Sequence, residues 1–379
     1  MTVYDAVIIG GGAVGLSTAY NLRKKGLRVA VLEKNYVGSG SSTRNGGGYR
    51  VHFGSEHNVR YMVEGRKRLL NLGKELRWNP TALETGYLWL LATEAQIDEF
   101  KRLNQTWSSL GVAGRFIGVK AASELLPGAN LEGLTEAFIG PQDGTFHHDL
   151  VVLGYQARLR ELGVEVFEQS PVEGFTVDSS RVKAAWIGSK QFEAEKFVLC
   201  AGAWSSPIAQ LAGVSLPIRP ERRELGVTEP IKYFIKPFTI SPYHGIYLAQ
   251  GLRGEIRGTV LDLKTDGFAP LLSTLEWTRT YASRIIKLLP FISNIRLNRQ
   301  WSGYYEMTPD HSQIMGSSSK WPEGFYVAAG FSGHGMMMSP LTGELMAENV
   351  ADGRVPPLMR PYSPDRFERN ELIHEAMVF

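Results

Sequence analysis

Residues 4–34 read YDAVIIGGGAVGLSTAYNLRKKGLRVAVLEK, and no other stretch limits the fold so tightly. AVIIG is a short apolar run of the kind buried in a parallel sheet. Gly10, Gly12 and Gly15 follow in a G-x-G-x-x-G spacing. The first glycine permits a tight turn, the second lets a pyrophosphate approach the backbone, and the third lets the helix pack close to the strand. Val14, Leu16, Ala19 and Leu22 then recur at helical spacing. The free N–H groups and dipole at the start of that helix attract phosphate. RVAVLE returns to β structure and ends in Glu33, whose carboxylate can accept hydrogen bonds from a ribose. Three glycines alone are weak evidence. Between two strands, with a terminal acid, they specify a dinucleotide site.

Three later segments decide which dinucleotide. GSGSSTRNGGGYR, residues 38–50, is a loop of small donors that suits a second stretch of pyrophosphate and a flavin ring, with Ser41, Ser42, Arg44, Asn45 and Gly47 as its cofactor contacts. KFVLCAGAWSSPIAQLAG is a further buried strand running into a glycine turn, with Ala201, Gly202 and Trp204 at the turn. FYVAAGFSGHGMMMSPLTGELMAENVADG repeats the same grammar near residue 330. A nicotinamide-binding domain is expected to be contiguous. Pieces near residues 10, 40, 200 and 330 instead imply FAD stretched across an interleaved domain. In the last segment Gly330, Ser332, Gly333, His334 and Gly335 form a turn that brings backbone against a planar ring. A helix then begins near Met336, with Pro340 in or about its first turn. Its N-terminal donors would stabilise negative charge on a reduced flavin. Met336, Met337 and Met338 would line the adjoining cavity, where thioethers mould to an apolar substrate.

The rest of the composition excludes more than it assigns. The net charge of +3 comes from scattered residues, which gives nucleic-acid binding little support. Cys200 is the single cysteine, so no internal disulfide or cysteine-rich metal site exists, and a reducing cytosol is expected. No basic segment precedes the first apolar run, and no stretch of about 18 apolar residues is present, so neither a signal peptide nor a membrane span is expected. Serine-hydrolase and zinc-site arrangements are absent from the sequence.

AVIIGGGAVGLSTAYNL, GSGSSTRNGGGYR, VLCAGAWS, WSGYYEMTPDHSQIMG and GFSGHG together resemble the FAD-dependent amine oxidoreductases of the D-amino-acid oxidase and sarcosine oxidase superfamily, along nearly the whole chain. GYYEMTPD, GHGMMMSP and YSPDRFERNEL are most similar to the catalytic β subunits of archaeal dye-linked L-proline dehydrogenases. The resemblance implies an α/β (α+β overall) protein. An interleaved Rossmann-like FAD domain (1–80, 150–215 and 325–360) would carry a mostly antiparallel substrate sheet (81–149 and 216–324) and a tail, 361–379. GYLWLLAT, IRPERRELGVTEP and HGIYLAQ read as β segments of that sheet, and residues 272–289 as a helix.

The resemblance also implies roles. Arg50 matches the arginine that binds the substrate carboxylate, a task its planar fork suits. Arg44 would sit against the flavin or phosphates, and Val172 and Gly303 are further cofactor contacts. Met337 stands where monomeric sarcosine oxidases carry a carboxylate-binding lysine, and Ile256 aligns with the lysine they place above the flavin. Strand alternation would turn Arg257 to the opposite face from Ile256. Tyr247 is a substrate contact, Tyr304 and Tyr305 could help close the pocket, and His334 lies near the flavin. His148 matches a histidine that carries FMN at a subunit junction in heterotetrameric sarcosine oxidases, which would make FMN a second cofactor and imply a partner flavoprotein subunit.

The implied chemistry is oxidation of the Cα–N bond of L-proline or a similar secondary amino acid to an imine by hydride transfer to flavin N5. The neutral amine needs no dedicated base. FAD would be non-covalent, because Cys200 lies far from GYYEMTPD. Electrons would pass to an acceptor other than oxygen. The protein is expected to be cytoplasmic, with peripheral membrane association through an electron-acceptor partner as a variant. Alternatives are a D-amino-acid dehydrogenase, a sarcosine oxidase-like β subunit, and a non-catalytic electron-relay subunit; retention of Arg50 speaks against the last.

Overall fold

The computed structural model describes residues 3–378. Met1, Thr2 and Phe379, which fall in the first and last of the segments above, lie outside them. Two sheets dominate. In the first, strands Phe325–Ala329, Lys190–Leu199, Tyr4–Ile9, Val29–Leu32 and Glu165–Phe167 run parallel and side by side in that order. Ile9 is level with both Leu199 and Leu32, and Leu199 with Val327, so the strand ends line up. A hairpin of Gly174–Asp178 and Arg181–Ile187 extends from Lys190–Leu199, and Ile314–Gly316 closes the other edge antiparallel to Phe325–Ala329. Helices cover this sheet, so its strands are buried on both faces, as their apolar runs require.

Helices Ala13–Lys24 and Gly335–Asp352 pack backbone to backbone. A Cβ on Gly343 would stand 2.2 Å from the Ser17 hydroxyl, so only glycine allows that approach. Pro340 sits at the sixth position of the second helix rather than in its first turn. It cannot donate to the Met336 carbonyl, and the Ser339 hydroxyl donates there instead at 2.9 Å.

The second sheet has nine strands and is antiparallel except where Phe238–Ser241 meets Tyr87–Leu91. Helices Gly118–Leu125 and Leu275–Leu288 cover one face, and the other face looks toward the first sheet. Alternation sorts the side chains. Ile246 and Leu248 go to the helix side, while Tyr247 and Ala249 go to the other. Residues 361–378 fold back on the body. Arg366 is buried and forms a two-pronged bond to Asp310 at 2.8 and 2.9 Å. No helix among the described residues is long and apolar enough to cross a membrane.

Candidate active site

A cavity of about 290 Å³ lies over the aligned ends of the parallel strands. Glycine makes it. Gly10 has φ +112°, and a Cβ there would stand 2.4 Å from the Cys200 carbonyl oxygen. A Cβ on Gly15 would stand 2.0 Å from the Gly10 carbonyl, so Gly15 packs beneath the cavity rather than lining it. Gly12 faces it with only the Ser42 hydroxyl nearby. No side chain of the preceding residue caps the helix that starts at Ala13, and no acid lies in its first turn, which leaves that end electropositive. Glu33 lines the cavity. One of its oxygens accepts from Gly11 N at 2.8 Å and the other from Asn35 N at 2.9 Å, leaving lone pairs for a ribose.

The other predicted cofactor contacts mostly converge here. Ser41, Ser42, Arg44, Asn45, Val172, Ala201, Gly202, Trp204, Gly303, Gly333, Gly335 and Met336 all line this cavity. Ser42 accepts from Ala13 N at 2.9 Å, tying the 38–50 loop to the helix start. Arg44 is spent on the Ser39 and Ser302 carbonyls, each at 3.2 Å. Lys34 lies 3.3 Å from the Trp204 ring centroid. Gly330 and Ser332 do not line the cavity. They shape the turn behind it: Gly330 at φ +77° meets Thr308, and the Ser332 hydroxyl lies 3.4 Å from that of Thr308. The helix start without an acid in its first turn, the open face at Gly12 and the placement of Glu33 fit a dinucleotide. The thiol of Cys200, pushed up to about 12 by burial, offers no thiolate for a covalent link.

A second cavity of about 60 Å³ adjoins the first and shares Asn45, Tyr305, Gly333 and Met336 with it. Arg50, Tyr247, His334 and Met337 all line it, together with Gly47. The glycine run explains how. A Cβ on Gly46 would stand 2.7 Å from the Tyr247 hydroxyl, one on Gly47 2.6 Å from the Phe146 carbonyl, and one on Gly48 2.0 Å from the Tyr87 hydroxyl. Tyr87 stacks on Phe238 at 4.4 Å, and Tyr247 tilts against Phe238 at 4.9 Å. Burial raises the pKa of Tyr87, Tyr247 and Tyr305, so these hydroxyls stay protonated. Tyr305 lines both cavities, whereas Tyr304 lines only the larger.

Arg50 is 4% exposed. Its Nε donates to the His52 carbonyl at 3.1 Å, and its Nη2 lies 3.0 Å from His334 Nε2. The same nitrogen donates to the Met377 carbonyl. The segment carrying Met377 is anchored by Glu375, whose carboxylate accepts from Gly54 N at 2.8 Å, Ser55 N at 3.0 Å and Asn58 Nδ2 at 3.0 Å. Glu375 and Met377 have no mark in the sequence that ties them to Arg50. Behind Arg50, His52 and Asp143 form a fully buried pair at 2.7 Å.

One expectation changes. Ile256 does not overlook the cofactor cavity. It is fully buried with Leu88, Leu248 and Leu288 on the helix side of the sheet. Arg257, on the opposite face, points toward the 38–50 loop, and its guanidinium donates to the Gly46 carbonyl at 2.5 Å. Arg223 also lines the cofactor cavity, held by Glu221 at 2.7 Å. His148 is the first residue of helix His148–Glu161. Its imidazole is largely buried beside Asp149, at 3.3 Å, and burial depresses its pKa to about 4. No sequence signal singles out Glu306, which lines the cavity from strand Leu297–Met307 and whose carboxyl is raised to about 7 by burial against the lowering effect of the Gly330 and Phe331 amides.

Comparison with known proteins agrees with this geometry. Residues 5–349 match the family described as FAD dependent oxidoreductase. The sarcosine oxidase subunit beta of Rhodobacter capsulatus is 29% identical, over 99% of this chain and 91% of its own. The L-proline dehydrogenase from P. horikoshii is 32% identical, with a TM-score of 0.92 over 97% of this chain and 98% of its own. The glycine oxidase from Geobacillus kaustophilus is 25% identical, with a TM-score of 0.90 over 97% and 99%.

Proposed function

The chain belongs to the FAD dependent oxidoreductase family, and from that premise we propose that it oxidises the Cα–N bond of L-proline or a comparably small secondary amino acid to the imine. One observation carries the reading. A single buried arginine, Arg50, lines a small cavity walled by Tyr87, Phe238, Tyr247, Met336 and Met337 beside the cofactor cavity. That combination suits a substrate with one carboxylate and an apolar body. The similarity to the P. horikoshii L-proline dehydrogenase supports the choice of substrate and a non-oxygen acceptor.

FAD would be held by Gly10, Gly12, Glu33, Ser42 and the turn at Gly333, and when bound it supplies the hydride acceptor. The chain's own residues do the rest. Arg50 takes the carboxylate as a fixed cation in a desolvated site. His334 and the Met377 carbonyl hold the guanidinium in place. The aromatic and methionine walls exclude water and orient the substrate ring. The substrate amine enters neutral in this reading, so no dedicated base is assigned to it.

In this reading the FAD-binding part comprises roughly 1–80, 150–215 and 325–360, segments 81–149 and 216–324 form the substrate part, and 361–379 is a C-terminal tail. A hetero-oligomeric setting is supported by relatives named as subunits. The testing experiment is a screen of amino acids with an artificial dye acceptor, using the purified FAD-loaded protein. L-proline or another small secondary amino acid should give the highest kcat/KM. Preference for D-amino acids would redirect the reading to a D-amino-acid dehydrogenase, and no turnover with any amine would leave an electron-relay subunit.

A further inference from the structure

Glu306 stands out among the groups on the cofactor cavity. It lines the cavity, yet no lysine, arginine or histidine among the described residues influences its carboxyl. Its Oε2 accepts from Gly330 N at 2.9 Å, and the Phe331 amide bonds to the same carboxyl. The backbone carbonyl of Glu306 accepts from Ser332 N at 3.1 Å. A carboxyl group has about four acceptor positions, so two backbone bonds do not exhaust it. Glu306 is half-buried, and holding such a group there without a cation is costly unless something else in the cavity bonds to it.

Its place in the sheet indicates what that partner is. Glu33 continues from Leu32, Gly10 from Ile9, Gly202 lies just past Leu199, and Gly330 continues from Ala329. These four strands are neighbours in that order, at ~4.8 Å per step. A dinucleotide whose ribose lies at Glu33 and whose pyrophosphate lies at Gly10 and Gly12 presents its next chemical segment over the Leu199 and Ala329 ends. In FAD that segment is the polyhydroxylated chain between pyrophosphate and ring. Oε2 of Glu306 lies 3.8 Å from where a Cβ on Gly202 would stand, so the missing side chain keeps the carboxyl open on that side.

We infer that Glu306 binds a hydroxyl of the ribityl chain of FAD and thereby sets how far the ring reaches toward Gly333 and the Arg50 pocket. The inference rests on FAD as the cofactor and not on the choice of substrate.

The test is a binding cycle on apoprotein, read by quenching of flavin fluorescence. Wild type and Glu306→Ala are titrated with FAD and with its 2′-, 3′- and 4′-deoxyribityl analogues. Glu306→Ala should bind FAD roughly 10- to 100-fold more weakly, the range for a hydrogen bond to a buried charged group. That loss should vanish with the one analogue that lacks the contacted hydroxyl. An equal loss with FAD and all three analogues would make Glu306 only a brace for the Gly330 turn and overturn the inference, as would no loss at all. Glu306→Gln keeps an oxygen for the Gly330 amide, and should show the same analogue-selective loss at smaller size even if the alanine variant does not fold. Failure of wild type to bind FAD would instead strike at the cofactor itself.

Discussion

Arg50 Nη2 lies 3.0 Å from His334 Nε2, and both groups are buried. A guanidinium nitrogen can only donate, so His334 Nε2 must accept, which places the imidazole proton on Nδ1. Burial first, then the Arg50 charge, hold the His334 pKa well below its ordinary value. His334 is therefore a neutral brace for the arginine and not an acid or base. Nitrogen NMR of histidine-labelled protein should show a neutral Nδ1–H ring between about pH 5 and 8, the range in which an ordinary histidine titrates. An imidazolium signal at pH 6 would contradict the hydrogen-bond assignment.

Replacing Arg50 with methionine should lower kcat/KM by roughly two to four decades, matching the loss of ~3–5 kcal/mol when one partner of a buried charge pair is removed. FAD content should stay normal, because Arg50 lines the smaller cavity and not the larger. Unchanged KM for the amino acid would show that its carboxylate is bound elsewhere.

Gly46 tests the pocket wall. Its φ does not require glycine, but a Cβ would stand 2.7 Å from the Tyr247 hydroxyl and 3.1 Å from the ring edge. Gly46→Ala should therefore push Tyr247 into the substrate cavity and raise KM by roughly tenfold, equivalent to ~1.4 kcal/mol of overpacking. Tyr247→Phe in the same chain removes the nearest atom and should recover part of the loss. Absence of any recovery would mean that the damage lies in the loop and not in Tyr247.

Glu306 should leave a mark on pH-dependent stability. Its carboxyl is raised from the ordinary 4.5 to about 7 by burial. The folded state then favours the protonated form, so the stabilisation is complete below about pH 4.5 and is lost as pH rises through about 7. At ~1.4 kcal/mol per pKa unit the loss is on the order of 3 kcal/mol. Urea titrations of FAD-free protein should show that decline across the window, and Glu306→Gln should flatten it. Parallel curves for the two proteins would place the ionisation elsewhere.

The cofactor cradle is legible from sequence because its constraints are local. Gly10, Gly12, Gly15 and Glu33 fall within one strand–helix–strand unit whose spacing is itself the signal, and Gly15 against Gly10 and Glu33 against Gly11 meet inside that unit, although Gly10 also packs on the distant Cys200 carbonyl. The glycine run 46–48 is visible as a run, but its reasons are Tyr247, Phe146 and Tyr87, which only the fold brings near. Glu306 lies in a strand with no periodic signal to mark it, and Met377 reaches Arg50 from the far end of the chain. The assignment of Ile256 failed for a different reason. Alternation separates two faces of a strand but does not say which one meets the cofactor, and here the opposite face is itself a dry core under two helices.

That misassignment reshapes the expectation for oxygen. A fixed cation beside a reduced flavin favours superoxide formation, so a lysine introduced over the ring should convert a dehydrogenase toward an oxidase. Ile256 is not such a position. It is fully buried among Leu88, Leu248, Trp277 and Leu288, so Ile256→Lys places an unpaired ammonium in an apolar core. The variant should be destabilised by several kcal/mol, on the order of ~3–5 for an uncompensated buried charge, and should gain no oxygen activity. Arg257 and Arg223 already bring cations to the site side of the sheet, but both are engaged, Arg257 by the Gly46 carbonyl and Arg223 by Glu221. The wild type should therefore turn over at least about tenfold faster with a dye acceptor than in air-saturated buffer, a difference of ~1.4 kcal/mol in barrier. Comparable rates with the two acceptors would mean that these tethered guanidiniums still serve oxygen. Arg223→Met and Arg257→Met would then identify which one does, by the oxygen rate that falls while the dye rate holds.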